Sequence, residues 1–153
     1  MFKHILVPTD GSPSSQEAVR RVVSFAKEAG AAVTAFHAIP QYPTVLIGEA
    51  ALRSSLTPEQ FTTFRKYTES SEAQAQEILD FVSKLCRVAG VPCTKKTLTS
   101  NVVYQAIIDA ATQSGCDLIF MASHGRSGIG ALLLGSETNK VLAHSKIPVL
   151  VYR

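Results

Sequence analysis

A glycine-rich segment is the part of the sequence best suited to bind an anion. Four of the nine glycines lie in residues 125–135, and Gly135 and Ser136 then open a short helical pattern. Glycine lets a backbone approach a ligand closely, and the amides and hydroxyl at a helix start favour negative charge. Phosphate is therefore the ligand that this segment indicates.

This segment does not match the nucleotide-binding motifs of known enzymes. Residues 130–135 have the glycine spacing of a P-loop, but Ser136 stands where the lysine is needed. A dinucleotide fingerprint starting at Gly128 fails because Leu133 occupies its third glycine position. The sequence also has no nucleophile elbow and no zinc-protease motif. We predict no catalytic residue and no metal site.

A second loop of unusual composition follows the first apolar run. Residues 8–13 (PTDGSP) combine two prolines, a glycine and an acid directly after residues 5–7 (ILV). His37 and His124 also lie where strands are predicted to end, and neither has an obvious carboxylate partner in the sequence. Ligands of open α/β sheets bind beyond the carboxyl ends of strands, where the strand order reverses. The two loops are therefore the candidate site.

The rest of the chain alternates between strand and helix patterns. Apolar runs predict strands at residues 5–7, 32–39, 117–121 and 147–152. Residues 91–98 predict a more polar, proline-containing strand that suits a sheet edge. Helices are predicted between them, with N-caps at Ser14, Thr57 and Ser100 and C-terminal ends at Gly30 and Gly90. Residues 40–56 lack a clean period and are predicted to be irregular.

This alternation predicts an α/β fold. Strands joined through helices need right-handed crossovers, which place them in a parallel sheet covered by helices on both faces. A chain of 153 residues suits one domain with one core, so residues 1–153 are predicted to form a single domain.

Composition excludes several classes of protein. Apolar residues make up 46% and charged residues 18%, which is globular, and the net charge of +3 comes with no basic run dense enough for nucleic acid. No apolar stretch approaches the roughly 18 residues of a membrane span, and the amino terminus has no signal-peptide pattern. Cys86, Cys93 and Cys116 form no C-x-x-C pair, which favours small buried hydrophobes in a reduced, cytoplasmic protein.

Three motifs resemble the universal stress protein family. They are residues 7–12 (VPTDGS), residues 122–125 (ASHG) followed nine residues later by Gly135 and Ser136, and residues 147–151 (IPVLV). The resemblance spans essentially the whole chain. It implies an open, doubly wound, Rossmann-like sheet of five parallel strands in the order 3-2-1-4-5. In one branch of the family it also implies ATP at the switch point between strands 1 and 4, where the two loops would meet.

The resemblance implies roles for individual residues. Asp10 would accept hydrogen bonds from the ribose hydroxyls. Pro8 and Thr9 would line the adenine and ribose side of the site. Ala38 would offer backbone groups to the adenine edge, and Met121 would pack on the ring. The residues implied around the phosphates are Gly125, Gly135, Ser136, Glu137 and Thr138, with charge from Arg126; Ala122 and His124 complete the implied site.

Ala122 departs from the family pattern. The nucleotide-binding branch has Gly-x-x-Gly, nine residues, then Gly-Ser or Gly-Thr; here Ala122 replaces the first glycine, whereas Gly125, Gly135 and Ser136 match. The methyl group could narrow the approach to the ribose or phosphates. If the site needed a left-handed backbone there, alanine would cost about 1 kcal/mol.

The leading hypothesis is a cytoplasmic stress-response or signalling protein that binds ATP or AMP, with any Mg²⁺ coordinated by the phosphates. It would act through an unidentified protein partner and through a homodimer at residues 147–152, an apolar run at a sheet edge. One alternative is a nucleotide-independent dimeric interaction module, which Ala122 favours. Another is a slow ATPase or nucleotidyl transferase, for which no base or nucleophile is recognisable. Neither nucleic acid nor membrane is expected as a partner.

Overall fold

A computed structural model describes residues 1–43, 56–124 and 134–153. Its elements, in chain order, are β1 (His4–Pro8), α1 (Pro13–Ala29), β2 (Ala32–Ile39), α2 (Pro58–Ala89), β3 (Cys93–Thr99), α3 (Val103–Gln113), β4 (Leu118–Ala122), α4 (Ser136–His144) and β5 (Val149–Tyr152). Most of the segment predicted to be irregular, residues 44–55, lies outside the described residues.

The strands form one parallel sheet in the order β3-β2-β1-β4-β5. The central strand β1 is apolar on both sides: Ile5, Leu6 and Val7 are each at most 1% exposed. Such continuous burial is typical of a parallel strand with helices on both faces. The predicted α/β class and the strand order implied by the resemblance are both confirmed.

Two helices cover each face of the sheet. Helices α1 and α2 pack on the face that includes Ile5 and Val7, and α3 and α4 pack on the face that includes Leu6 and Phe36. The polar, partly exposed strand β3 lies at one edge, as its composition predicts, and β5 lies at the other. No helix in the described ranges is both long enough and apolar enough to span a bilayer.

The starts of α1 and α2 differ in how well the sequence predicts them. Thr57 caps α2 through the expected reciprocal pair with Gln60. For α1, the prediction of Ser14 as the cap is wrong, because the hydroxyl of Ser12 accepts the amide hydrogen of Ser15 at 3.3 Å and Pro13 takes the first helical position. Ser14 is thereby released for another contact.

The predicted cap of α3 is also wrong. Ser100 accepts a hydrogen bond from the amide of Val102, ahead of the helix, while the first-turn amide of Tyr104 donates to Oε2 of Glu137 at 2.8 Å. A side chain from α4 therefore satisfies the start of α3. The predicted bounds of four strands shift by one or two residues as well, because β1 begins at His4, β3 at Cys93, β4 at Leu118 and β5 at Val149. The helix ends at Gly30 and Gly90 are confirmed, both in the left-handed conformation.

Candidate functional site

The loop after β1 is held in place by its own side chains. The hydroxyl of Thr9 is hydrogen-bonded to that of Ser15 and accepts the amide hydrogen of Gly11 at 3.2 Å. Oδ1 of Asp10 accepts the amide hydrogen of Ser12 at 2.9 Å, which closes an Asx turn. The half-buried Asp10 carboxylate is therefore fixed just beyond the carboxyl end of β1.

Gly11 is the residue that this turn requires. Its φ is +77°, a left-handed backbone conformation that is strained for residues with a side chain. A Cβ atom there would also lie 3.0 Å from Cγ1 of Ile78, on α2. Glycine lets the loop pass close to α2 and return to the start of α1.

Strand β2 extends beyond the end of β1. Pro8, the last residue of β1, pairs with Phe36, whereas β2 continues to Ile39. The carbonyl of Phe36 accepts the amide hydrogen of Thr9 at 2.9 Å, and backbone groups two residues apart in a strand point the same way. The backbone N–H and C=O of Ala38 therefore point towards the space beyond Pro8.

His37 supports the loop from the neighbouring strand. Its Nδ1 lies 2.8 Å from the carbonyl oxygen of Thr9. A carbonyl oxygen only accepts, so Nδ1 carries the hydrogen, and in the neutral ring Nε2 is the acceptor. This candidate histidine positions the Thr9 backbone.

Two hydrogen bonds hold the start of α4 against the end of β4. The amide of Gly135 donates to the carbonyl of Ser123 at 2.6 Å, and the hydroxyl of Thr138 donates to the carbonyl of Ala122 at 3.0 Å. A Cβ atom on Gly135 would lie 3.1 Å from the Ser123 oxygen, so glycine permits this close approach. Gly135 supplies no side-chain cap to α4, and the helix start keeps its partial positive charge for another acceptor.

Ser14 joins the two loops. Its hydroxyl donates to the carbonyl oxygen of His124 at 3.0 Å, which links the first turn of α1 to the segment after β4. The described residues that flank the two loops singled out by the sequence therefore lie together. Sequence reasoning missed this role of Ser14 because it assigned the residue to capping. The signal that it overlooked is Pro13, a residue suited to the first helical position, which makes Ser12 the cap.

His124 lies beside Gly135, at the start of α4. Its Nδ1 lies 2.8 Å from the hydroxyl oxygen of Ser123. Its Nε2 is buried and, within residues 1–43, 56–124 and 134–153, meets no hydrogen-bond partner. Buried polar atoms in native proteins are usually satisfied, so this nitrogen indicates a missing acceptor or donor, such as a ligand.

The structure places Met121 and Ala122 on opposite faces of β4. Met121 is 7% exposed and packs in the core beneath α3 and α4, whereas Ala122 packs against the core beneath α1 and α2. Ala122 pairs with Tyr152 as the last residue of β4, and no non-glycine residue of the described chain has a positive φ. Ala122 therefore has no left-handed backbone, and the cost considered for that conformation does not arise.

The other implied phosphate residues differ in what they contact. The Glu137 carboxylate bonds to the amide of Tyr104 and lies 3.1 Å from Nζ of Lys140, which directs it towards α3. The Thr138 side chain is 3% exposed and serves to anchor α4. Ser136 begins α4. Gly125 and Arg126 lie outside the described residues.

The whole sequence, residues 1–153, matches the model of the universal stress protein family. The chain belongs to this family. Universal stress protein A homolog 1 of Coxiella burnetii is 31% identical to it, covering 97% of this chain and 94% of the relative. The solved structure of MJ0577 of Methanocaldococcus jannaschii, also named a universal stress protein, is 27% identical, covers 99% of this chain and 95% of its own, and has a TM-score of 0.77.

Some structural neighbours of this universal stress protein were solved with nucleotides. The protein from Archaeoglobus fulgidus in complex with dAMP is 18% identical, covers 99% of this chain and 98% of its own, and has a TM-score of 0.66. Others were solved with cAMP, at 23% identity and a TM-score of 0.68, and with AMP, at 16% and 0.64. At these identities the likeness establishes the shared fold.

Proposed function

We propose that this universal stress protein binds an adenine nucleotide, ATP or AMP, at the carboxyl ends of β1 and β4. The observation that supports the proposal is that the loop after β1 and the described start of the loop after β4 lie together, joined by the bond from Ser14 to the His124 carbonyl. One loop supplies the fixed Asp10 carboxylate, and the other leads to the uncapped start of α4. Complexes of neighbours with dAMP, AMP and cAMP support the choice of ligand.

Each part of an adenine nucleotide finds suitable groups here. A carboxylate such as that of Asp10 accepts hydrogen bonds from ribose hydroxyls. The backbone groups of Ala38 suit the donor and acceptor pattern of the adenine edge. Pro8, which pairs with Phe36, and Thr9 would line the adenine and ribose side of the site. Met121, buried at the end of β4, provides an apolar surface below the base.

The phosphates would bind at the start of α4. Uncapped helix amides favour an anion by roughly 0.3–1 kcal/mol, or more where the site is partly buried. Phosphate oxygens would also give Nε2 of His124 the partner that the described residues do not provide. Gly125, Ser136 and Arg126 would complete this part of the site, whereas the Glu137 carboxylate contributes from a distance because it bonds to α3.

Any Mg²⁺ would be held by the phosphates. Across the described ranges, no three His, Cys, Asp or Glu side chains are grouped closely enough to hold a metal ion. We assign the protein a binding role without a catalytic residue, in which the nucleotide changes the protein's interaction with a partner protein.

The proposed active form is a cytoplasmic homodimer joined through β5. Among the described strands it is hydrogen-bonded only to β4, and all four of its residues are half-buried. The carbonyls of Pro148 and Tyr152 bond to β4, so the backbone groups of Val149 and Val151 point away from the sheet. Pairing with a second copy would satisfy them. The dimer would carry two nucleotide sites, one in each chain, and would thus offer the partner protein two copies of the surface that responds to the nucleotide.

Amide chemical shifts measured during an AMP titration test the location of the site. We expect the largest changes at Asp10, Ala38 and Ser136. The amides of Gly30, Gly90 and Gly115 serve as internal controls and should stay unchanged, because these turns lie at the amino ends of the strands, away from the proposed site. Changes that map to those turns, or no changes at millimolar AMP and ATP, would overturn the proposal.

A further inference from the structure

Two cysteines flank the turn between α2 and β3. This turn lies at the amino ends of the strands, whereas the proposed nucleotide site lies at their carboxyl ends. Cys86 lies in the last turn of α2 and is 0% exposed, and Cys93 is the half-buried first residue of β3. Gly90 reverses the chain between them, and the amide of Val91 donates to the carbonyl oxygen of Cys86 at 2.9 Å. This tight turn places both side chains in the core cluster beneath α1 and α2, where the two thiols interact electrostatically.

The two thiols are chemically unequal. The hydrogen bond with Cys93, together with burial, raises the pKa of the Cys86 thiol. The hydrogen bond from Cys86 lowers the pKa of Cys93 against the effect of its partial burial, with help from the backbone at Ala35 and the positive charge of Lys95. Cys93 is also the more exposed of the two, and the thiolate is the reactive form of cysteine.

We propose that Cys86 and Cys93 are a peroxide-sensitive dithiol that closes into an intramolecular disulfide. The Cys93 thiolate attacks one oxygen of hydrogen peroxide; an S–O bond forms, the O–O bond breaks, and the released hydroxide takes a proton to become water. The Cys86 thiol then loses its proton and attacks the Cys93 sulfur. An S–S bond forms, the S–O bond breaks, and a second water leaves. Two thiols are thus oxidised to a disulfide while one peroxide is reduced to two waters.

The described structure places this pair on the α1 and α2 face of the sheet, within one core cluster. A bond between the cysteines would link the end of α2 to the start of β3 across a turn that already holds them together. It involves neither the β1 loop nor the start of α4. The proposal therefore stands or fails independently of nucleotide binding.

Cys116 provides an internal control. It is 6% exposed, packs on the opposite face of the sheet, and burial raises its pKa to about 11. A thiol of this kind reacts slowly with peroxide. It also shares its core cluster with neither of the other two cysteines.

Peroxide treatment of the full-length protein, followed by alkylation and peptide mass spectrometry, tests the proposal. We expect the peptides of Cys86 and Cys93 to become joined with the loss of two hydrogens, and Cys93 to be modified at least about tenfold faster than Cys116. Dithiothreitol should restore both thiols. Cys116→Ser should behave as the wild type.

Single substitutions separate the two roles. Cys93→Ser should abolish the disulfide and leave Cys86 reduced, whereas Cys86→Ala should leave a Cys93 sulfenic acid that dimedone traps. The half-buried Cys93 tolerates serine, so its variant remains informative if Cys86→Ala fails to fold. Oxidation of Cys116 before Cys93, or a disulfide formed only between chains, would overturn the proposal.

Discussion

Asp10 combines a local structural task with the proposed contact to ribose. Its Oδ1 accepts the amide hydrogen of Ser12, so the carboxylate is already oriented before a ligand arrives. Orientation in advance lowers the entropic cost of binding. The same arrangement means that substitutions at Asp10 act on both the turn and the ligand, and a matched pair of variants is needed to separate them.

Asp10→Ala should weaken ATP binding by about 1–3 kcal/mol, because it removes a charged acceptor of the ribose hydroxyls. Asp10→Asn keeps an Oδ1 acceptor for the amide of Ser12, so it should weaken binding less while leaving the turn intact. Titration calorimetry of both variants, with circular dichroism as a check on folding, measures the effect. Wild-type affinity in Asp10→Ala would remove Asp10 from the site.

Ala122→Gly should change the affinity for ATP by less than about tenfold, or roughly 1.4 kcal/mol. The reason is that Ala122 lies in a strand and its methyl packs towards the α1 and α2 core. The variant should instead lose about 0.5–1 kcal/mol of unfolding free energy, because glycine weakens a strand. Tight binding in Ala122→Gly beside a silent wild type would identify a nucleotide-independent protein.

Some residues of the candidate site could be predicted from the sequence and others could not. Asp10, Gly135 and Ser136 stand at fixed spacings within short motifs, so the family pattern locates them. Ser14 is different, because its partner His124 is 110 residues away. Such a contact depends on which strands are neighbours in the sheet, and local patterns carry no information about that.

Among the elements, the start of α2 shows where local sequence rules are sufficient, and the start of α3 shows where they are not. The cap of α2 is built from Thr57 and Gln60, three residues apart, and the sequence predicts it correctly. The start of α3 is satisfied by Glu137 from another helix. Ser100 has the residue type of a cap, but the helix begins only at Val103, so that local reading is wrong.

Strand β1 is also held by a long-range carboxylate, and this gives a prediction about stability. Burial opposes ionisation of Asp117, but hydrogen bonds from the amides of His4 (3.0 Å) and Lys3 (2.8 Å) outweigh it and lower its pKa. A lowered pKa stabilises the fold above the unfolded value of about 3.9, and the gain is lost as pH falls through the folded pKa.

Asp117→Asn should therefore reduce the unfolding free energy by about 1 kcal/mol at pH 7, a modest value because the group is partly exposed to solvent. The difference from the wild type should shrink as the pH falls from 5 towards about 2. Urea denaturation at several pH values measures it, with the exposed Glu28→Gln as the control. A difference that is constant with pH would mean that the carboxylate charge contributes nothing.

At the scale of the whole molecule, the open edge of β5 gives a prediction about assembly. Val151→Lys should convert the homodimer to a monomer, because two-fold symmetry would set two lysines against each other across the axis. Light scattering at tens of micromolar protein measures the mass. Val88→Lys is the matched control, since Val88 is 81% exposed on α2, and it should remain dimeric.

A monomeric wild type under these conditions would refute the dimer. Loss of the dimer in both variants would show that the added charge acts through overall repulsion and not through β5. Insoluble Val151→Lys protein would agree with an exposed apolar edge, and dimerisation would then be measured with Val149→Lys.

The overall architecture was open to prediction at two levels. Alternating apolar runs and helical patterns predict the parallel α/β class, because parallel strands need helical crossovers. The strand order came only from the resemblance to the family. Periodicity assigns a residue to a strand or a helix, but the neighbours of β1 are decided by packing between segments far apart in the chain.

Titration calorimetry of the wild-type protein with ATP, repeated with AMP, tests the central claim most directly. We expect saturable binding of one nucleotide per chain with a dissociation constant in the micromolar range, equivalent to about −8 kcal/mol. No heat at millimolar ATP and AMP, together with no displacement of a labelled adenine nucleotide, would contradict nucleotide binding at the ends of β1 and β4.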